Sequence, residues 1–168
     1  MPSLLEYMLE SDDMFLLLQG TITLKTFISI ASEECLKVVS REEIIKVTKK
    51  LLDPKTNEQA AICLGNLVIQ VICKVQPKID TSLLMCVVTK IYKSRMPSIV
   101  QSLVLIFARL IQTNPGPIVQ FLSETSIDNR ICLKIVLDKW LLQQPLFRGT
   151  YTRTVTMSSL LKLFRMRD

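Results

Sequence analysis

The sequence contains no histidine, only four glycines and no long apolar run. Without histidine the chain cannot form a Ser-His or Cys-His dyad, a histidine metal site or the usual proton relay at neutral pH. Carboxylate and lysine chemistry stay open. The longest uninterrupted apolar runs, such as residues 103–108, cover six residues, far short of the roughly 20 residues of a membrane-spanning helix. We therefore expect no membrane insertion.

The cysteines are odd in number and form no CxxC pair. Most of the five fall on apolar positions of predicted helices: Cys35, Cys63, Cys73, Cys86 and Cys132. This pattern is typical of buried free thiols in a reducing compartment, with neither a disulfide nor a metal site. No Gly-rich phosphate loop is present, so we predict no cofactor. Glu6 and Glu10 stand where an export signal would carry basic residues, which argues against such a signal.

Apolar residues are abundant, at 49% of 168, and β-branched residues are mixed with many leucines, lysines and glutamines. This composition favours helices over sheet and excludes disorder. The length fits either one ordinary domain or four to five helix pairs of an open array. The net charge of +6 permits attraction to nucleic acid, anionic lipid or an acidic protein surface, without choosing among them.

Residues 97–113 form the most clearly predicted helix. Pro97 suits the first helical position, and apolar residues then recur at three- and four-residue steps: Ile99, Val100, Leu103, Val104, Phe107, Leu110 and Ile111. Polar side chains occupy only a narrow strip, so neighbouring helices must cover the other sides. Residues 57–74 have the same construction, which indicates a repeat.

Capping and turn signals divide the rest of the chain into further helices. The signals are capping boxes at Ser40 with Glu43 and at Thr56 with Gln59, a stop at Asp53 and Pro54, a cap at Asp80, a tight turn at 114–117 and a loop at 125–129. The predicted helices cover about residues 2–10, 13–31, 41–52, 57–75, 81–93, 97–113, 115–123, 129–143 and 154–166. Gly20 lies inside one of them, as a weak point or a place of close packing.

The long helices begin near residues 13, 57, 97 and 129, at spacings of 44, 40 and 32 residues. Two of these values lie within the roughly 40 to 47 residues of HEAT or armadillo repeats, and the third is shorter. The connections are short, as antiparallel neighbours require. We predict an all-α fold: one HEAT-repeat, armadillo-like α-solenoid segment of about four helix pairs over residues 1–168. A compact helical bundle is the alternative.

Three blocks of residues resemble a known family. They are LLDPKTNE at 51–58, QSLVLIFARLIQT at 101–113, and a spread set formed by Trp140, Gln144, Leu146, Phe147, Gly149, Tyr151 and Val155. In this order and spacing, from about Asp12 onward, they are similar to the importin-β (karyopherin-β) family. The resemblance places the chain in the later-middle to C-terminal repeats of a receptor several times longer.

The resemblance implies a superhelix of HEAT repeats that carries protein cargo through nuclear pores, under control of the GTPase Ran. Expected partners are basic cargo such as histones or ribosomal proteins, Ran in the full-length receptor and nucleoporins, in both cytoplasm and nucleus. The chain departs from the family at Arg148, where an aromatic residue is expected, and at Arg153, where a basic residue is shifted. Receptors for basic cargo use acidic surfaces, whereas this chain is net positive.

Basic residues and one tryptophan are the candidate protein-binding residues: Lys46, Lys50, Lys90, Lys93, Arg95 and Trp140. The bases could meet acidic partners or phosphates, or they could stabilise helix C-termini and keep a surface soluble, with Lys90 facing water. Trp140 suits an interface anchor, but its register with Val136 also suits the core. Aromatic residues are not interleaved with the bases, so we expect no direct binding of nucleic acid.

Three kinds of function remain open from the sequence. The first is a segment of a nuclear transport receptor, which acts by binding and not by catalysis. The second is a HEAT-repeat scaffold for another protein assembly, which would share the helices and differ in partner. The third is a helical enzyme, which would need a pocket with a strongly perturbed acid or lysine. We predict no catalytic residue.

Overall fold

The computed structural model describes residues 4–75 and 80–166, and these residues are helical apart from turns and one short hairpin. Helix follows helix in the repeating manner predicted, so the expected all-α, HEAT-repeat class is confirmed. Contacts between Cα atoms divide the chain into two compact units, Met1–Lys90 and Ile91–Asp168.

The first unit is built from helices α1 to α5 and most of α6. Their bounds are α1 Leu4–Glu10, α2 Met14–Ile30, α3 Ser32–Val38, α4 Arg41–Leu52, α5 Leu64–Gln70 with the π-helical turn Val71–Val75, and α6 Thr81–Lys93. The capping box predicted at Ser40 is confirmed, and the side chain of Asp13 caps α2. The Asp13 carboxylate accepts from the Leu16 amide at 2.7 Å, and Ser40 with Glu43 forms the capping box. Such caps satisfy amides that a helix start leaves without partners.

The predicted helix over residues 57–75 is wrong over residues 57–63. Residues 58–63 form turns, and regular helix begins only at α5. The Thr56 hydroxyl donates to the Lys50 carbonyl at 2.7 Å instead of capping a new helix. The Asn57 side chain accepts from the Gln59 amide at 2.8 Å, as in an Asx turn. The predicted end of this helix near Pro77 lies outside the described residues.

The second unit is organised around the helix that was predicted most clearly. Its elements are α7 Pro97–Thr113, α8 Pro115–Glu124, β1 Ser126–Ile127, β2 Arg130–Ile131, α9 Cys132–Gln143, the 3-10 turn Gln144–Leu146 and α10 Thr150–Arg165. Helix α7 packs against α8, α9 and α10. Six consecutive residues of α7, 103–108, are buried, because neighbours cover several of its sides.

Two boundaries in the second unit differ from the prediction. The predicted loop at 125–129 is a hairpin in which β1 and β2 pair antiparallel. Asp128 and Asn129 both have positive φ, at 50° and 62°, as the two central residues of a type I′ turn require. Helix α10 begins at Thr150, not near residue 154, because Gly149 adopts a φ of 88° and ends the preceding segment there.

The cysteines are free, as expected, but most are not buried. Only Cys132 is fully buried among them, whereas Cys73 is exposed and the other three are half-buried. Gly20 is a place of close packing, because a Cβ atom there would lie 2.5 Å from the Met8 sulfur. Within the described ranges no single helix is long and apolar enough to cross a membrane. The bent pair Met14–Ile30 and Ser32–Val38, at 117°, passes that test only when taken together.

Candidate protein-binding surface

Lys90 is a structural residue inside the first unit. Its side chain is 1% exposed, and its ammonium group donates to the Asp53 carbonyl at 2.7 Å and to the Thr56 carbonyl at 2.9 Å. The expectation that Lys90 faces water is therefore wrong. Burial lowers the pKa of Lys90 below its ordinary value, and the Glu58 and Asp53 carboxylates oppose that shift. This lysine holds the chain between α4 and α5 in place. Its buried side chain offers no surface to a partner protein.

Four other lysines make the same kind of contact with the carbonyl end of an earlier helix. Lys50 donates to the carbonyls of Leu9 and Ser11 at 2.8 and 2.7 Å, Lys74 to Ser29 at 2.5 Å, Lys139 to Ser94 at 3.2 Å, and Lys162 to Gln112 at 2.8 Å. Each acceptor lies in the last turn of a helix or just after it, where carbonyls lack intrahelical partners and the helix dipole is negative. These lysines complete helix ends, so much of the chain's positive charge serves the fold.

Trp140 belongs to the core of the second unit. Its side chain is fully buried, and its Nε1 donates to the Gln144 side chain at 3.0 Å. Gln144 in turn donates to the Thr156 hydroxyl at 3.1 Å. The core interpretation of Trp140 is therefore confirmed, and this tryptophan presents no surface to a partner.

The remaining predicted bases are exposed but are not brought together. Lys46 lies on the exposed side of α4 in the first unit, while Lys93 and Arg95 lie at the end of α6 and just after it. Lys93 forms an ion pair with Asp128 at 3.0 Å and lies 4.6 Å above the ring of Tyr92. Lys93 follows Tyr92, which lines a concave surface.

That concave surface is a cleft of about 750 Å³ in the second unit, which we call the α9 cleft. Its walls are the C-terminal end of α6, the hairpin and one face of α9. The lining residues are Tyr92, Asn129, Arg130, Ile131, Lys134, Ile135, Asp138, Lys139 and Leu142. Three of these side chains are basic and one is acidic, so the cleft carries a net positive charge.

The hairpin positions the outer wall of the α9 cleft. Its tight turn at Asp128 and Asn129 reverses the chain, and the Cys132 amide then donates to the Thr125 carbonyl at 2.9 Å, which closes the hairpin at the start of α9. The Arg130 guanidinium lies 6.0 Å from the Tyr92 ring. This distance is within the reach of a cation–π interaction, so Arg130 is held at the rim.

Sequence reasoning missed the α9 cleft, although two signals for it are present. Cleft-lining positions on α9 and just before it recur at 131, 134, 135, 138, 139 and 142, which is one face of a helix. The pair Asp128 and Asn129 between short β-compatible segments is a hairpin signal. The apolar period of α9 draws attention to the buried face with Val136 and Trp140 and away from the opposite, charged face.

Two smaller clefts are apolar. One, of about 360 Å³, lies among α1, α2 and α3 and includes Leu24, Phe27 and Val38. The other, of about 250 Å³, lies among α8, α9 and α10 and includes Leu137, Leu141 and Phe164. Among residues 4–75 and 80–166, no three carboxylate or thiol side chains lie close enough to hold a metal ion.

Comparison with known proteins gives consistent matches over nearly the whole chain. The family model described as importin-11-like, TPR repeats, matches residues 1–167. Importin-9 of Drosophila melanogaster is 32% identical over 172 aligned positions, covering 97% of this chain and 17% of that protein. Importin subunit beta-5 of Saccharomyces cerevisiae is 30% identical over 130 positions, covering 75% of this chain and 13% of that protein.

The chain thus spans less than a fifth of the length of these curated relatives. The helical repeats of the two units agree with the repeat character of the matched family model. The resemblance drawn from residues 51–58, from residues 101–113 and from the set around Trp140 is confirmed by these independent matches. On this evidence the chain belongs to the importin-β family and carries its importin-11-like repeats.

Proposed function

We propose that the chain is a segment of a nuclear transport receptor, from its later-middle to C-terminal repeats. In this role it contributes to binding protein cargo and, in the full-length receptor, Ran and nucleoporins, and it moves between cytoplasm and nucleus. The observation that carries the proposal is the 32% identity to importin-9 across 97% of the chain. The action is binding through exposed helix surfaces, with no bond-making step.

The cargo we propose is basic protein, such as histones or ribosomal proteins. Because the chain itself is net positive at +6, acidic surfaces for such cargo would lie mainly elsewhere in the receptor. The exposed bases Lys46, Lys93 and Arg95 are then sites for an acidic partner surface rather than for the cargo. The buried positions of Lys90 and Trp140 remove them from this proposed set.

A chimera tests the proposal. The segment of Drosophila importin-9 that matches this chain is replaced by residues 1–168, and binding to Ran loaded with GTP and to core histones is measured by calorimetry. We expect both dissociation constants to stay within about tenfold of those of importin-9, a difference of about 1.4 kcal/mol. A matched control replaces the same segment by an unrelated helical repeat of equal length.

The control separates the receptor segment from a general helical spacer. If the chimera folds, as judged by circular dichroism and gel filtration, and binds neither Ran nor histones, the transport role is contradicted. Equal binding by the control would mean that the segment contributes only length, which favours the scaffold alternative.

A further inference from the structure

We propose that the α9 cleft binds a short acidic peptide segment of a partner protein, with an apolar side chain between the acids. The proposal rests on the geometry of the second unit and not on the transport role. It concerns an acidic partner, opposite in charge to the basic cargo proposed above.

The charge of the α9 cleft favours an anionic ligand. Arg130, Lys134 and Lys139 line it together with a single acid, Asp138. Lys139 already donates to a backbone carbonyl, so Arg130 and Lys134, both exposed, supply the principal cationic groups. Carboxylates placed between them would gain charge-assisted hydrogen bonds.

The apolar part of the lining selects against a simple inorganic anion. Ile131 and Leu142 are 53% and 69% exposed, while Ile135 is buried at 4%. Two aliphatic side chains, one on the hairpin and one on α9, are therefore exposed in the same cleft as the cationic groups. A ligand that combines carboxylates with an aliphatic or aromatic side chain would cover both surfaces.

The length of the ligand follows from helix geometry. The cleft-lining positions on α9 run from Lys134 to Leu142, about 12 Å along the helix axis, and Arg130 and Ile131 of the hairpin extend the lining beyond that. An extended peptide advances about 3.3 to 3.6 Å per residue, so about four to five residues fill the cleft. The volume of about 750 Å³ lies within the range of roughly 300 to 1,000 Å³ of ligand sites.

The aromatic content of the cleft argues against single-stranded nucleic acid. Tyr92 is the one aromatic residue in the lining. The Lys93 ammonium at 4.6 Å and the Arg130 guanidinium at 6.0 Å already approach its ring. Binding of single strands uses open aromatic faces on which successive bases stack, and this cleft offers none.

The test uses the full 168-residue chain and a fluorescein-labelled five-residue peptide, capped at both ends, with four glutamates around a central leucine. Fluorescence anisotropy is measured at low and at physiological salt. We expect saturable binding that weakens with salt, because exposed charge pairs are screened. A peptide with glutamine in place of each glutamate is the matched ligand control and is expected not to bind.

Charge variants decide where the peptide binds. Lys134→Glu is expected to weaken binding by about fivefold or more, and Lys55→Glu, with the same charge change on an exposed loop of the first unit, by less than about twofold. Asp138→Asn is expected to tighten binding, because it removes the one acid of the cleft. All three positions are exposed, and circular dichroism confirms that each variant is folded.

Three results would overturn the proposal. They are the absence of saturable binding up to about 1 mM peptide, equal weakening by Lys134→Glu and Lys55→Glu, and tighter binding of single-stranded oligothymidine that displaces the peptide. The first result would exclude acidic peptides as ligands of the α9 cleft. The second would show that the peptide is attracted only by the net charge of the chain. The third would assign the cleft to nucleic acid.

Discussion

Replacing Lys90 by methionine removes the ammonium group and keeps an unbranched side chain about as long as the aliphatic stem of lysine. In the native fold this group donates to the Asp53 and Thr56 carbonyls at 2.7 and 2.9 Å, from a side chain that is 1% exposed. The methionine side chain can still fill the space that the aliphatic stem of Lys90 fills, because the two stems are similar in volume. The variant therefore isolates the two hydrogen bonds.

The magnitude of the effect follows from those two bonds. A hydrogen bond to a charged group contributes about 1.5 to 3 kcal/mol net. Asp53 is exposed and Thr56 half-buried, so water can partly replace the lost donor, and removing a buried charge returns some free energy. We expect Lys90→Met to lower the free energy of unfolding by about 2 to 4 kcal/mol. Lys90→Glu sets a carboxylate against two carbonyl oxygens and is expected to cost more, at least about 4 kcal/mol.

Urea denaturation followed by circular dichroism measures both changes. The matched control is Lys55→Met, which makes the same substitution on an exposed lysine and is expected to change the free energy of unfolding by less than about 0.5 kcal/mol. If Lys90→Met also changes it by less than about 1 kcal/mol, the bonds to the chain between α4 and α5 do not stabilise the fold. The structural role assigned to the lysines would then be refuted.

Three further substitutions test the packing and the caps. Phe107→Ala should cost about 3 to 5 kcal/mol in urea denaturation, because Phe107 is fully buried in α7; a loss below about 1 kcal/mol would mean that α7 is not central. Gly20→Ala should lower the free energy of unfolding by about 1 to 2 kcal/mol, although alanine has the better helix propensity, because the alanine Cβ would overlap buried Met8. An unchanged or higher urea midpoint would refute the close contact. Asp80→Asn should lose most stability near neutral pH and progressively less as the pH falls through the folded pKa of Asp80. Desolvation raises the pKa of Asp80, but hydrogen bonds from Ser82 and the charge of Lys49 outweigh it and lower that pKa, so the carboxylate stabilises the fold above its unfolded pKa and stops doing so as pH falls through the folded one. A pH-independent difference between the two proteins would contradict this.

Elements with a strong helical period and explicit caps were predictable from the sequence. Helix α7 begins at Pro97 and ends at Thr113 as predicted, and the capping box at Ser40 is present. In both cases the local signal and the apolar period favour the same helix, and the tertiary contacts are consistent with that helix.

The segment after Asp53 could not be predicted, because a distant residue determines it. Lys90 draws the Asp53 and Thr56 carbonyls to itself, and the Thr56 hydroxyl turns back to the Lys50 carbonyl. The local sequence reads as a helix start, but these contacts across about 35 residues impose turns. No periodicity in the sequence reports such a contact.

The basic residues were the least predictable part of the candidate surface. A lysine that donates to a helix end and a lysine that faces a partner have the same helical spacing, so sequence alone does not separate Lys50 or Lys90 from Lys134. The structure separates them through burial and partners. The α9 cleft also depends on the hairpin, whose strands are only two residues each and therefore too short to leave an alternating pattern.

The most direct test of the transport account is nuclear import by the chimera of Drosophila importin-9 that carries residues 1–168 in place of its matched segment. Fluorescent histone cargo is supplied to permeabilised cells with Ran and an energy source, and nuclear fluorescence is followed over time. The account predicts Ran-dependent accumulation at a rate within about tenfold of importin-9 itself. A folded chimera that binds cargo yet leaves it outside the nucleus would contradict the account.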